Sequence, residues 1–205
     1  MAHTQRLLGR RSFLRHGLYG AAGLSLFSAA SGCGRSPAAL LPPTAEGPEA
    51  VASVVTLSEW GEPGAPLVVR GRLFAADGKT PVGGATLYVY HTDARGLYSD
   101  RRGSGGPPNP RIKGYIRTDR EGAYEFRTTR PGSYPGSRVP QHIHARVNLP
   151  GRGDINIHEY WFDDDPFIPD SARERFRELG TFSPILKLTR DAAGVFHATR
   201  DIRLD

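Results

Sequence analysis

Two histidines separated by a single residue, His142-Ile143-His144, are the sharpest chemical feature of this 205-residue chain. On an extended segment, residues two apart share a face, so both imidazoles point at one spot. Such a pair is a natural half-site for a transition metal, although packing histidines are also common. Two tyrosines stand close enough in sequence to join them. Arg130-Pro131-Gly132-Ser133-Tyr134-Pro135 lies just upstream, and its Pro and Gly fix a tight corner that presents Tyr134. Further back, His91-Thr92-Asp93-Ala94-Arg95-Gly96-Leu97-Tyr98-Ser99 offers Tyr98 from a glycine-containing loop. Taken singly, each tyrosine reads as packing with a wet hydroxyl.

The elements that must position these side chains read as strands. Short β-rich runs punctuated by turns are expected at Val68–Phe74, Ala85–His91, Ile112–Arg117, Ala123–Arg127, His142–Val147, Ile157–Phe162, Ile185–Leu188 and Val195–Arg203. Leu87, Val89 and His91 alternate with Tyr88 and Tyr90, the period of a half-buried strand. Asp77-Gly78 and Asp119–Gly122 supply turn chemistry, and 25 Gly with 17 Pro fit many short strands joined by tight turns. One helix is expected over Ala172–Leu179, with Asp170 or Ser171 as N-cap and Gly180 closing it. The fold class is therefore all-β: a sandwich of about eight short strands with long loops and one short helix. A single cysteine excludes a disulfide scaffold and a Cys-rich zinc site.

The ordered set of segments resembles the intradiol ring-cleaving dioxygenases, the protocatechuate and catechol dioxygenase group, from about Gly71 to Leu204. It comprises Pro81-Val82-Gly83-Gly84-Ala85, Gly96-Leu97-Tyr98, Thr118–Phe126, Arg130–Pro135 and Pro140-Gln141-His142-Ile143-His144. The resemblance implies a non-haem Fe(III) cofactor held by Tyr98, Tyr134, His142 and His144. Phenolate is a hard anionic donor that favours ferric over ferrous iron. The implied reaction takes a catechol-type aromatic and O2, with the Tyr134 position as proton acceptor. It breaks the bond between the two hydroxyl-bearing carbons and yields a muconate-type dicarboxylate.

Three positions depart from the family pattern. Val139 stands where better-known members carry an arginine that steers the cleavage intermediate, and Arg138, one residue away, is the candidate substitute. Glu159 replaces a frequent glutamine, which changes the local charge. Tyr90 stands where tryptophan is common, consistent with packing. These departures leave an alternative open, a non-catalytic envelope sandwich that only binds a ligand. His91 and His158 read as packing or surface histidines. Asp163-Asp164-Asp165 reads as a solvated turn rather than a cation site.

The formal charge of +6 owes much to four arginines among residues 1–32, which hold no acid. The remainder lacks the concentrated basic stripe of a nucleic-acid binder, and no nucleic-acid partner is expected. Arg10-Arg11-Ser12-Phe13-Leu14-Arg15, followed by an apolar run to Ala30, resembles a twin-arginine export signal. Ala30-Ser31-Gly32-Cys33 resembles a lipoprotein box, with Ala30 in place of the usual leucine; acylation of Cys33 would tether the protein to a membrane. The expected organisation is a signal at 1–33, a flexible linker at 34–66 and the catalytic sandwich at 67–205. The expected location is the periplasm or cell envelope. A homo-oligomer is left open by sequence.

Overall fold

A computed structural model describes residues 52–58, 61–98 and 110–205. The expected export signal, the Cys33 box and most of the expected linker lie outside the described residues. Among those described, twelve strands form two six-stranded sheets. The first sheet runs β1 (Val54–Thr56), β5 (Ala123–Thr129), β2 (Pro66–Phe74), β11 (Phe196–Thr199) and β10 (Thr189–Arg190), with β12 (Ile202–Arg203) also paired to β2. The second runs β4 (Ile112–Arg117), β3 (Thr86–His91), β6 (His142–Leu149), β8 (Tyr160–Phe162) and β9 (Ile185–Leu186), with β7 (Gly153–Asn156) on the far part of β6. Alternation fixes which side chains point inward. Leu67, Val69, Leu73, Phe126 and Ala198 from the first sheet join Leu87, Val89, Ile116, Ile143, Val147 and Phe162 from the second in one core.

All eight expected strands are present, with several bounds moved. Four further elements come from two short edge strands (β7, β10), the break at Arg200-Asp201 that separates β11 from β12, and β1. The last corrects the expected linker. Val54–Thr56 pairs in parallel with Glu125–Arg127, so ordered sheet begins well before residue 67. Glu62 also receives both guanidinium nitrogens of Arg111 at 2.7 Å.

The helix is shorter than expected. Helix α1 spans Asp170–Phe176 and its N-cap is Pro169, without a side-chain cap. Proline there already sets the backbone angle, and its carbonyl receives the Ala172 and Arg173 N–H groups. A 3-10 stretch, Arg177–Phe182, follows, in which Gly180 leaves helical geometry. No helix among the described residues is long and apolar enough to cross a membrane.

Candidate metal centre

Strand β6 sends Ile143 into the core and His142 and His144 to the opposite face, as a period of two requires. The strand enters that position clamped. Arg130 grips the Asp164 carboxylate with two N–H groups at 2.8 and 2.6 Å and donates to Gln141 Oε1 at 2.8 Å. The Gln141 N–H donates to Asp165 Oδ2 at 2.7 Å. The acidic run is thus not simply a solvated turn. Asp165 is 2% exposed and also accepts from the Phe167 N–H, so it serves as a backbone anchor beside His142.

Both imidazoles are fixed from behind. His142 Nδ1–H donates to the Pro140 carbonyl at 2.7 Å. His144 Nδ1 lies 3.0 Å from Glu159 Oε1, whose other oxygen accepts from Trp161 Nε1–H at 3.2 Å. Contact with His144 holds the Glu159 carboxyl down, against the upward pull of burial, to about 2. With Nδ1 the donor in each ring, both Nε2 lone pairs face the same point, and they stand 3.1 Å apart.

The tyrosines arrive on two loops that touch backbone to backbone. Asp93 organises the first: its Oδ1 accepts from the Arg95 and Leu97 N–H groups at 2.9 and 3.0 Å. Burial pulls its carboxyl upward, but the Leu97 N–H and the Arg95 contacts hold it below the ordinary carboxylate range. The Asp93 carbonyl accepts from Gly132 N–H at 2.9 Å, which ties the Tyr98 loop to the Tyr134 turn. That approach needs glycines. A Cβ on Gly96 (φ +81) would sit 1.9 Å from the Ser133 carbonyl oxygen, and one on Gly132 would sit 2.5 Å from that of Ala94.

The result is one cluster. Tyr98 Oη and Tyr134 Oη are 2.5 Å apart; Tyr98 Oη is 2.9 Å from His144 Nε2; Tyr134 Oη is 3.0 Å from His142 Nε2. Tyr90, the register partner of His144, stacks on its ring at 4.6 Å. Two phenol protons cannot serve all these contacts, and no proton separates the two imidazole lone pairs. A cation at the centre would satisfy all four donors at once. Donors bound about 2.0–2.2 Å from one first-row ion stand about 3 Å apart, which is the spacing found. Burial, then the neighbouring Tyr134 hydroxyl, pushes Tyr98 above its ordinary value without a metal; a cation would act in the opposite sense.

Four sequence-predicted residues, Tyr98, Tyr134, His142 and His144, are therefore brought together. Arg138 is not. It is exposed, with its guanidinium 5.5 Å over the Phe167 ring, and among the described residues it makes no hydrogen bond to the four. Val139 is likewise 40% exposed. Glu159, noted in sequence for its charge, joins His142 and His144 in a group of side chains that could hold a metal, their donor atoms lying within 4.8 Å of one another. Sequence reasoning missed Asp93 and its carbonyl link to Gly132. The available signal was an Asp followed three residues later by a loop glycine.

A family model described as "Dioxygenase" matches residues 44–181. Catechol 1,2-dioxygenase 2 of Acinetobacter lwoffii is 35% identical over 156 residues, covering 63% of this chain and 54% of that protein. The protocatechuate 3,4-dioxygenase beta chain of Burkholderia cepacia is 32% identical over 133 residues, covering 56% of each. The chain thus spans about half the length of these relatives. Among solved structures, the dioxygenase domain of a dioxygenase carbohydrate-binding protein fusion from Streptomyces sp. SirexAA-E superposes with a TM-score of 0.55 at 27% identity. It covers 80% of this chain and 95% of that one.

Proposed function

The chain belongs to the intradiol dioxygenase family, and on that premise we propose that it is a non-haem Fe(III) enzyme that opens a catechol-type ring between its two hydroxyl-bearing carbons. The diol and one O2 combine to give a muconate-type dicarboxylic acid that carries both oxygen atoms, so no further reductant is needed. The observation that carries this is the convergence of Tyr98, Tyr134, His142 and His144, with both imidazoles anchored through Nδ1. Held by these four side chains, ferric iron would supply a Lewis acid for the two diol oxygens and draw electron density from the ring.

The chain's own groups divide the remaining work. Tyr134 Oη accepts a proton from the entering diol; the short turn that carries it ends at Gly136, where even an added Cβ would meet nothing within 4 Å. Tyr98, its ring 6.1 Å from that of Tyr90, keeps its place. Glu159 and the Pro140 carbonyl hold the imidazoles in the tautomer that presents Nε2. Arg138 contributes to steering only if its loop turns inward from Phe167.

Oxygen-electrode measurement on iron-loaded protein with catechol tests the reaction. One O2 consumed per diol, with a muconate-type acid as product, is expected. An aldehyde-bearing product from cleavage beside the diol would overturn it. We further propose export to the cell envelope, with a tether at Cys33, on the sequence of residues 1–33 alone; fractionation of wild-type and Cys33→Ala cells tests it.

A further inference from the structure

The outer face of the second sheet carries an unusual surface. Register places Tyr88 opposite Tyr115 on one side and Arg146 on the other, and Tyr90 opposite His144. From the donor cluster outward the aromatic rings follow one another. Tyr90 stacks on His144 at 4.6 Å, Tyr88 lies 5.5 Å from Tyr90, and Tyr115 lies 4.8 Å from Tyr88. Tyr115 is 44% exposed, and the Arg146 guanidinium sits 5.0 Å over the Tyr88 ring. The three tyrosine hydroxyls make no hydrogen bond among the described residues. A solvent-facing sheet surface ordinarily alternates to polar side chains, so three adjoining tyrosines beside a reaction centre point to a ligand.

The strip borders an open cleft of about 540 Å³, lined among others by Tyr88, Tyr90, His144, Arg146, Asn156 and Glu159. Two residues along β6, from His144 to Arg146, advance about 7 Å, one aromatic ring further from the donors. Charge selects what extends there. An acid group directly on the diol ring would approach the Glu159 carboxylate, which lies within 4.8 Å of the imidazole donors. An uncharged aryl group would meet only rings.

We propose that Tyr88, Tyr90 and Tyr115 form a subsite for the second ring of an extended, uncharged two-ring aromatic diol whose diol ring sits at Tyr98, Tyr134, His142 and His144. This deepens the ring-opening assignment and rests on it for the placement of the first ring. Stacking of one added ring on two tyrosines gives about a tenfold gain in affinity.

The test is equilibrium binding under argon, read by quenching of intrinsic fluorescence, with catechol and 3,4-dihydroxybiphenyl as probes. It is run on iron-loaded and metal-free full chain. The two-ring diol is expected to bind about tenfold tighter than catechol to the iron-loaded protein, in proportion to the stacking gain. Tyr115→Ala, an exposed position whose loss leaves the core intact, should erase most of that difference and leave catechol unchanged. Tyr88→Phe, which keeps the ring, should retain it. Equal affinities for the two diols, or a preference that survives Tyr115→Ala and Tyr88→Ala, would overturn the subsite. Tyrosine-dependent binding of the two-ring diol to protein that consumes no O2 with either diol would uphold the subsite and sink the ring-opening assignment instead.

Discussion

Glu159 Oε1 lies 3.0 Å from His144 Nδ1, on the side of the imidazole turned away from the tyrosine hydroxyls. A carboxylate in that place fixes the ring's tautomer and raises the basicity of Nε2, the atom 2.9 Å from Tyr98 Oη. The residue that departs from the family's glutamine is therefore joined to the donor set through His144.

Replacing Glu159 separates its hydrogen bond from its charge. Glu159→Ala should weaken iron affinity by about 10–100-fold, because His144 loses its orienting acceptor. Glu159→Gln keeps an acceptor and should lose less, while shifting the visible band because one negative charge is gone. Competition with a chelator measures the first effect and absorption the second. Equal affinity in all three proteins would remove Glu159 from the site.

The two tyrosine loops should be separable by one methyl group. Gly132→Ala would push a Cβ to 2.5 Å from the Ala94 carbonyl oxygen, so stability should fall by about 2 kcal/mol or more and iron colour with it. Gly151→Ala is the control. Its φ of +79 is a left-handed backbone that Gly132 does not share, but an added Cβ would meet nothing within 4 Å, so it should cost about 1 kcal/mol and leave the colour intact. Urea titration and the visible spectrum of both proteins decide.

His91 makes stability depend on pH. Burial pushes it down to about 4, and it is held neutral between the Thr92 carbonyl and the Thr128 hydroxyl. Because its folded value lies below that of the unfolded chain, the unfolded state binds the extra proton as pH falls. Stability is thus full above about pH 6.5 and is lost toward pH 4, by about 2 kcal/mol between pH 7 and pH 5. Unfolding free energies across that range check the slope, and His91→Asn should flatten it.

Arg138 and Tyr98 should behave oppositely. Arg138→Ala should leave iron content and colour unchanged, since its guanidinium packs on Phe167. Tyr98→Phe removes a donor atom at the centre and should lower iron affinity by at least tenfold, the scale of losing a metal contact. Iron analysis after dialysis distinguishes them.

Much of this was readable before any coordinates. Alternation in Leu87–His91 and His142–Val147 gave the strands and the shared face of His142 and His144, because a period of two is a property of the chain itself. The order of the Tyr98, Tyr134 and His-x-His segments carried the family resemblance, and the resemblance implied the donor set. What stayed hidden depends on pairing between distant segments. Val54–Thr56 has too few residues to announce a strand and exists through Glu125–Arg127. The link from the Asp93 carbonyl to Gly132 spans 39 positions, and the aromatic strip appears only when β3 and β4 are set side by side. Arg138 shows the converse. A residue one step from a family position need not point the same way, since on an extended chain adjacent residues face opposite sides.

The decisive measurement is the visible spectrum of protein loaded with ferric iron, recorded under argon before and after catechol. A tyrosinate-to-iron band that shifts on adding the diol, and that is lost in Tyr98→Phe, is the expected result. A protein that binds no ferric iron, or one whose colour is indifferent to Tyr98 and Tyr134, would contradict the assignment of the four donors.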